Sequence, residues 1–351
     1  MLKSLSLKNF TAFTEARLSF ASNLNVIVGE NSTGKTHILK VAYSALYAGA
    51  TRKKEQGPGT PTKAYLQTAI ADKLNAVFRP DELGRLARRA SPGRQRCEVS
   101  CLFSPNKPPL AFSFNTTSKS EVTIDKTPSA WPDKLPVYLP TRELLTIYPG
   151  FVSLYETTHL SFEETWRDTC ILLGAPLARG PREKRIRELL VPLEEAMGGK
   201  VELDKAGRFY LNVAGVSTEM HLVAEGLRKL AMLARLIATG SLVDKGFLFW
   251  DEPESNLNPK AIKMIARTIL SLCQSGIQVF LASHSLFLLR ELDILLQRDE
   301  FKAVKTRFIG LHRGEEGVEA TQGDTIDDIG SIDALTEELS QSDRYLKVET
   351  E

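Results

Sequence analysis

Gly29-Glu30-Asn31-Ser32-Thr33-Gly34-Lys35-Thr36 fits the pattern G-x-x-x-x-G-K-[ST], a loop that wraps phosphate. It follows Leu24-Asn25-Val26-Ile27-Val28, an apolar run that reads as a buried strand. It precedes His37-Ile38-Leu39-Lys40-Val41-Ala42, which reads as a helix start. Strand, loop and helix in that order are the context the pattern needs. Its glycines let the backbone curl around an anion with no Cβ in the way. The amides of Asn31, Ser32, Thr33 and Gly34 and of the helix N-terminus then point at phosphate. Lys35 supplies a point charge for the β- and γ-phosphates, and Thr36 offers a hydroxyl to Mg²⁺. With Gly at about 7% of residues, chance gives such a match in a chain of this length roughly once in a hundred.

Further along, Phe247-Leu248-Phe249-Trp250-Asp251-Glu252 is an apolar strand ending in two acids, a Walker B pattern. Asp251 is expected to hold Mg²⁺ through water, and Glu252 to polarise the water that attacks a γ-phosphate. The run Asp251-Glu252-Pro253-Glu254-Ser255-Asn256-Leu257-Asn258-Pro259 resembles the Walker B and D-loop of ABC-class ATPases. In that resemblance Ser255 is a D-loop contact to nucleotide. One helix and one strand later, Phe280-Leu281-Ala282-Ser283-His284-Ser285 ends a strand with a histidine. His284 is similar to the switch histidine of that class, which hydrogen-bonds the γ-phosphate.

Leu7-Lys8-Asn9-Phe10, with Gly29-Glu30-Asn31 inside the loop, resembles the start of chromosome-maintenance (SMC) and RecF-type ABC ATPases. The resemblance covers about 2–48 and about 220–290. It implies an α/β fold: a P-loop ABC-type ATPase head with a mixed sheet, N-terminal antiparallel strands and an inserted helical subdomain. It also implies ATP and Mg²⁺ as ligands, and two copies facing head to tail around two ATP molecules, with higher oligomers left open.

The chain departs from the ABC pattern twice. The best match to the signature motif is Leu222-Val223-Ala224-Glu225-Gly226-Leu227-Arg228, where alanine stands at the serine position. Gly226 and the helix amides remain to meet the partner's γ-phosphate in trans. Arg228 or Lys229 would add charge there, as an arginine finger does, or else lie on a solvated face. The second departure is the Q-loop. Val137-Tyr138-Leu139-Pro140-Thr141-Arg142-Glu143 occupies its place with no glutamine. Glu143 or Thr141 is left to reach the metal shell, with Gln67 as the other candidate.

The form Leu139-Pro140-Thr141-Arg142-Glu143-Leu144 and the degenerate signature resemble stand-alone ABC ATPases related to the OLD family. Many of these belong to bacterial phage-defence loci, the ATPases of the PARIS system among them. Only 67 residues follow His284, fewer than the roughly 100 of a nuclease domain. The expected effector is therefore a separate protein encoded nearby.

Helices are expected over 36–47, over 63–89 with an interruption near Pro80, across most of 143–199, and over 224–238, 259–275 and 286–296. Strands are expected over 2–7, 16–20, 24–28, 136–139, 247–250, 277–281 and 303–311. An antiparallel group is expected in 97–125, and a hairpin in 201–204 with 208–213. Residues 51–61, rich in Gly, Pro and charge, read as a loop. No heptad repeat is sustained, so no long coiled coil is expected. The expected organisation is lobe I from 1–142 and 241–312, a helical insertion with the signature helix over 143–240, and an acidic tail over 313–351.

The 351 residues suffice to bury roughly 75% of the surface of the extended chain. The net charge of +2 hides an asymmetry: residues 313–351 stand near −9 and the remainder near +11. Such a tail is a solvated segment or a partner-docking one. Cys97, Cys101, Cys170 and Cys273 lack paired metal spacing, which argues against zinc and for a reducing compartment. No run of about 18 apolar residues suggests a membrane span, and the alternating Met1-Leu2-Lys3-Ser4-Leu5-Ser6-Leu7 is no secretory leader. A cytoplasmic protein is expected.

Three basic clusters would either track nucleic-acid phosphates or be solvated surface. They are Arg52-Lys53-Lys54; Arg85, Arg88, Arg89, Arg94 and Arg96; and Arg182, Lys184, Arg185 and Arg187. A RecF-like DNA-repair ATPase is the alternative to a defence switch. A transporter subunit is disfavoured by Lys8-Asn9-Phe10 and the missing glutamine.

Overall fold

A computed structural model of the chain describes residues 1–56, 61–89, 93–129, 131, 134–158, 160–181, 183–243, 246–331 and 333–350. Arg182 and part of the expected 51–61 loop lie outside these residues, as do the side chains of Arg52, Lys53 and Lys54.

The N-terminal half holds β1 (Ser4–Phe10), β2 (Phe13–Ser19), β3 (Leu24–Gly29), α1 (Lys35–Gln56) and α2 (Lys63–Phe78). After them come β4 (Arg96–Leu102), β5 (Leu110–Asn115), β6 (Thr123–Lys126) and β7 (Val137–Leu139). The middle holds α3 (Tyr148–Thr157), α4 (Glu164–Leu173), α5 (Glu183–Met197), β8 (Lys200–Leu203), β9 (Phe209–Val213) and β10 (Val216–Glu219). The last third holds α6 (Glu225–Ala238), β11 (Phe247–Asp251), α7 (Pro259–Gln274), β12 (Gln278–Ser283) and α8 (Leu286–Leu296). It ends with β13 (Thr306–Gly314), β14 (Gly317–Gly323) and α9 (Asp333–Thr350).

Six strands form the central sheet in the order β14-β13-β3-β12-β11-β7. All neighbours in it run parallel except β14, which pairs antiparallel with β13 at the edge. A second, antiparallel sheet has the order β2-β1-β4-β5-β6. Alternation along β3 builds two cores. Val26 and Val28 join the cluster that spans α4 to α8, whereas Ile27 faces α1, α2 and the antiparallel sheet. Successive side chains of a strand point to opposite faces, so a wholly buried β3 needs both layers.

The expected mixed α/β architecture is observed, with no long coiled coil among the described residues. Several boundaries differ. The expected 63–89 helix stops at Phe78, because Arg79 turns left-handed (φ 56°), its amide bonds Asn75 O, and Pro80 follows. Leu83–Leu86 is a separate 3-10 turn. Residues 51–56, expected as loop, continue α1. The last central strand starts at Thr306 rather than 303, and the strand at 16–20 begins at Phe13. Asn258 caps α7 as expected, accepting from Ala261 N at 2.9 Å. All four cysteines are buried and free.

Candidate nucleotide site

The register of the parallel strands brings three chain ends to one edge. Ser283 pairs with Val28, and Asp251 with Ala282, so Gly29, Asp251 and Ser283 finish together. Ligands of open α/β sheets bind at this carboxyl edge.

The phosphate loop is set by packing from below. Gly34 has φ 89°, and a Cβ there would sit 2.8 Å from the Phe13 ring. A Cβ on Gly29 would come within 2.8 Å of Leu311 O. Ser32 is also left-handed, at φ 67°, and Thr33 Oγ1 donates to Glu30 O at 2.8 Å. Asn31 is exposed at the rim, where its carbonyl accepts from Arg313. Lys35 folds over the loop and donates to Gly29 O and Glu30 O, each at 2.8 Å. Burial lowers its pKa, and the Glu252 and Asp251 carboxylates oppose that shift.

Thr36 Oγ1 donates to Asp251 Oδ2 at 2.9 Å, and Tyr138 OH stands 3.5 Å from the same oxygen. Burial pushes Asp251 up to about 6, with the Thr36 hydroxyl pulling the other way. A hydroxyl and a carboxylate so close are hard oxygen donors of the kind Mg²⁺ takes. Among the described residues no three His, Cys, Asp or Glu converge into a metal cage. A cation at Thr36 and Asp251 would therefore take the rest of its oxygens from water or phosphate, and the residues present fit it.

Glu252 follows with φ 46°. Its Oε1 lies 3.4 Å from His284 Nδ1. This contact lowers the Glu252 carboxyl and raises the His284 imidazole. Lys35, Thr36, Asp251, Glu252 and His284 thus share one edge of the sheet.

The other expected residues stand differently. Glu143 does not turn toward the Thr36–Asp251 pair. Its Oε2 accepts from Leu145 N at 2.8 Å, its Oε1 from Thr146 Oγ1 at 2.8 Å, and Arg228 Nε approaches Oε1 to 3.0 Å. This carboxylate caps its own turn and does not line the cleft that holds Thr36 and Asp251. Thr141 does line the cleft with Thr36 and Asp251. Gln67 lies on α2, where its carbonyl accepts from Val122 N.

Lys229 is buried and serves its own chain, donating to Glu252 O at 2.8 Å and Ser255 Oγ at 2.7 Å. Burial pushes it down to about 8. Neither residue lies on a fully solvated face: Lys229 is held by the D-loop of its own chain and Arg228 pairs with Glu143. Ser255 Oγ also donates to Thr141 O at 3.2 Å. Gly226 opens α6 against the same D-loop, 3.2 Å separating its notional Cβ from Asn256 O. Asn256 Nδ2 donates to Glu225 Oε1 at 2.8 Å.

Sequence reading missed Glu254, a buried carboxylate whose Oε1 accepts from Ser283 Oγ at 2.6 Å and whose Oε2 has no partner. It also missed Arg313, which donates to Asn31 O at 3.0 Å and lines a cleft with Glu30, Asn31 and His284. Of the basic clusters, Arg88 bonds Ala12 O and Glu316 O, and Arg96 pairs Asp125 at 2.9 Å. These two guanidiniums are spoken for within the fold.

A family model described as "AAA domain, putative AbiEii toxin, Type IV TA system" matches residues 114–290, half of the chain. The chain belongs to this AAA-domain family. A second model, "AAA ATPase domain", matches residues 1–74. Both models describe AAA domains, in agreement with the P-loop and Walker B resemblance of the sequence.

Among curated relatives, the DNA replication and repair protein RecF of Streptococcus gordonii is 48% identical over 42 residues. RecF of Lactococcus lactis subsp. lactis is 45% identical over 42 residues. Each match spans 12% of this chain and 12% of the relative's length. Among solved structures, the SMC head domain from Thermotoga maritima aligns over 92% of this chain and 99% of its own. Its TM-score is 0.51 at 14% identity. The Smc head with an extended coiled coil from Pyrococcus furiosus, bound to the C-terminal domain of ScpA, aligns over 100% and 99%. Its TM-score is 0.54 at 11% identity. At such identities the likeness is one of fold.

Proposed function

We propose that this AAA-family chain binds and hydrolyses ATP with Mg²⁺ as an ABC-type dimer, and that nucleotide state acts as a switch for a separate effector protein. The observation that carries the reading is the meeting of Lys35, Thr36, Asp251, Glu252 and His284 at one sheet edge. Loop amides and Lys35 would hold the phosphates and Thr36 and Asp251 the cation, and a bound Mg²⁺ would supply neutralisation of the phosphate charge. Glu252, ionised and fixed against His284, orients and deprotonates the attacking water. His284, held against Glu252 by Nδ1, would donate to the γ-phosphate from Nε2. In the dimer, Gly226 and the amides at the start of α6 face the partner's nucleotide, and residues 143–240 move with closure.

The effector reading rests on the Leu139–Leu144 form and the degenerate signature. A family description that speaks of a type IV toxin–antitoxin system suits it, and bacterial anti-phage defence is the setting we favour. The RecF matches favour a second reading, a DNA-binding repair ATPase.

Glu252→Gln tests the chemistry. It should bind ATP at wild-type affinity, cut phosphate release at least 100-fold, and accumulate an ATP-bound dimer in size-exclusion chromatography. Turnover at the wild-type rate would remove Glu252 as the base. A salt-sensitive gel shift with duplex DNA would support the repair reading, and no shift even at low salt would discard it.

A further inference from the structure

The cleft beside Thr36 and Asp251 holds a carboxylate to which no role has yet been given. About 450 Å³ in volume, it is lined by Thr36, Lys40, Tyr138, Thr141, Asp251 and Glu163. Glu163 stands immediately before α4 in extended conformation (φ −67°, ψ 141°), and its side chain does not cap that helix. One carboxylate oxygen is held by Lys40 Nζ, and the other accepts from Thr165 Oγ1 at 3.3 Å. Lys40 lies four residues after Thr36 on α1, hence on the same helix face. Its side chain is 10% exposed and that of Glu163 34%. The pair therefore sits at the wall of the metal cleft.

The pair is not what fastens α4. Asp168 on that helix accepts from Tyr43 OH at 2.6 Å and from Lys73 Nζ at 2.5 Å, both buried. Thr169 Oγ1 donates to Tyr138 O at 2.6 Å. These bonds lock α4 to α1, α2 and β7, and they fix the backbone of Glu163 at the cleft. Rigid support of this kind holds a side chain ready for a ligand. Mg²⁺ takes one or two carboxylates, keeps several waters and completes its octahedron with phosphate. Asp251 is one carboxylate. Glu143, the other expected from sequence, is consumed by the 145–146 turn and Arg228.

We propose that Glu163 is the metal-facing residue that ties nucleotide loading to the helical segment 143–199, its carboxylate meeting the water shell of the cation held by Thr36, Asp251 and phosphate. Lys40 keeps it at the cleft wall in the nucleotide-free chain. The inference rests on the ATPase reading and adds the residue that occupies the place of the missing Q-loop glutamine.

The test uses the full chain, Mn²⁺ and a non-hydrolysable ATP analogue. Bound Mn²⁺ is counted by electron paramagnetic resonance, and metal-free nucleotide affinity is measured in chelator. Glu163→Gln should weaken Mn²⁺ about tenfold in the nucleotide complex and leave metal-free nucleotide affinity unchanged. Lys40→Met, which frees Glu163, should leave Mn²⁺ affinity at or above wild type. Should Glu163→Gln lose its fold, Glu163→Asp withdraws the charge by one methylene and is read in the same way. A Glu163 variant within twofold of wild type for Mn²⁺ overturns the proposal. So does equal weakening in both variants, since the pair would then be a plain structural clasp. Wild-type protein that takes up no Mn²⁺–nucleotide overturns the ATPase reading and this inference with it.

Discussion

Asp251 is a buried carboxyl whose positive neighbours, the Lys40 and Lys35 ammonium groups, do not outweigh the cost of its burial. Burial holds its pKa at about 6, against 3.8 for the ordinary carboxyl. Between those values the folded chain keeps a proton the unfolded chain has lost, so this group makes stability fall as pH rises through the window. Metal must displace that proton. Mn²⁺ affinity in the nucleotide complex should therefore be flat above pH 6 and fall about tenfold per unit below it, one proton for one cation. A titration at fixed ionic strength from pH 5 to 8 reads this directly, and a flat profile would show that Asp251 does not bear on the cation. The place of this residue at the sheet edge was legible because strand, acid pair and turn are contiguous in sequence. Its neighbours were not. Lys229 reads as a surface lysine of a helix start until the D-loop folds over it, and Glu143 reads as a metal-shell candidate until Leu145 and Thr146 turn back onto its oxygens.

At the level of elements, α1, α2 and α4 meet on one buried ionic knot. Asp168 is paired with Lys73, both nearly inaccessible, while Tyr43 OH donates to Asp168, and the Lys73 ammonium lies 3.5 Å from the Tyr47 ring centroid. The partners are 95 and 125 residues apart in sequence, so no spacing rule could join them. By contrast α7 was readable: Ile262, Ile265, Ile269 and Leu272 recur at helical spacing and all are buried. Removing one member of a buried ion pair strands the other, at a cost of about 3–5 kcal/mol. Asp168→Ala should fall in that range, toward its lower end because Glu164 remains 3.3 Å from Lys73. Replacing the pair together, Asp168→Leu with Lys73→Met, should recover most of the loss. Urea unfolding of the three variants decides it; a double variant as unstable as the single would mean that the knot holds these elements by more than charge pairing.

For the whole molecule, the central sheet separates two cores, and every expected nucleotide ligand except the α6 start lies along its carboxyl edge. That start carries an unusual feature: Leu222, three residues before α6, is 75% exposed. The mixed sheet and the helical insertion were readable from the chain, but this exposure was not, since an apolar residue in a short turn before a helix gives no periodic pattern by which to place it. In the proposed head-to-tail dimer the α6 start is the surface that meets the partner's phosphate loop. Burying one leucine contributes about 1.5–3 kcal/mol, and a twofold seam would use Leu222 twice. Leu222→Asp should therefore leave ATP binding by the monomer intact while weakening the ATP-dependent dimer by at least tenfold. The Glu252→Gln background is the place to measure it, by sedimentation with and without ATP, because the complex there does not turn over. A Leu222→Asp protein that dimerises on ATP as readily as its parent would move the seam to another face, while its unchanged nucleotide affinity would leave the phosphate site where the sheet edge puts it.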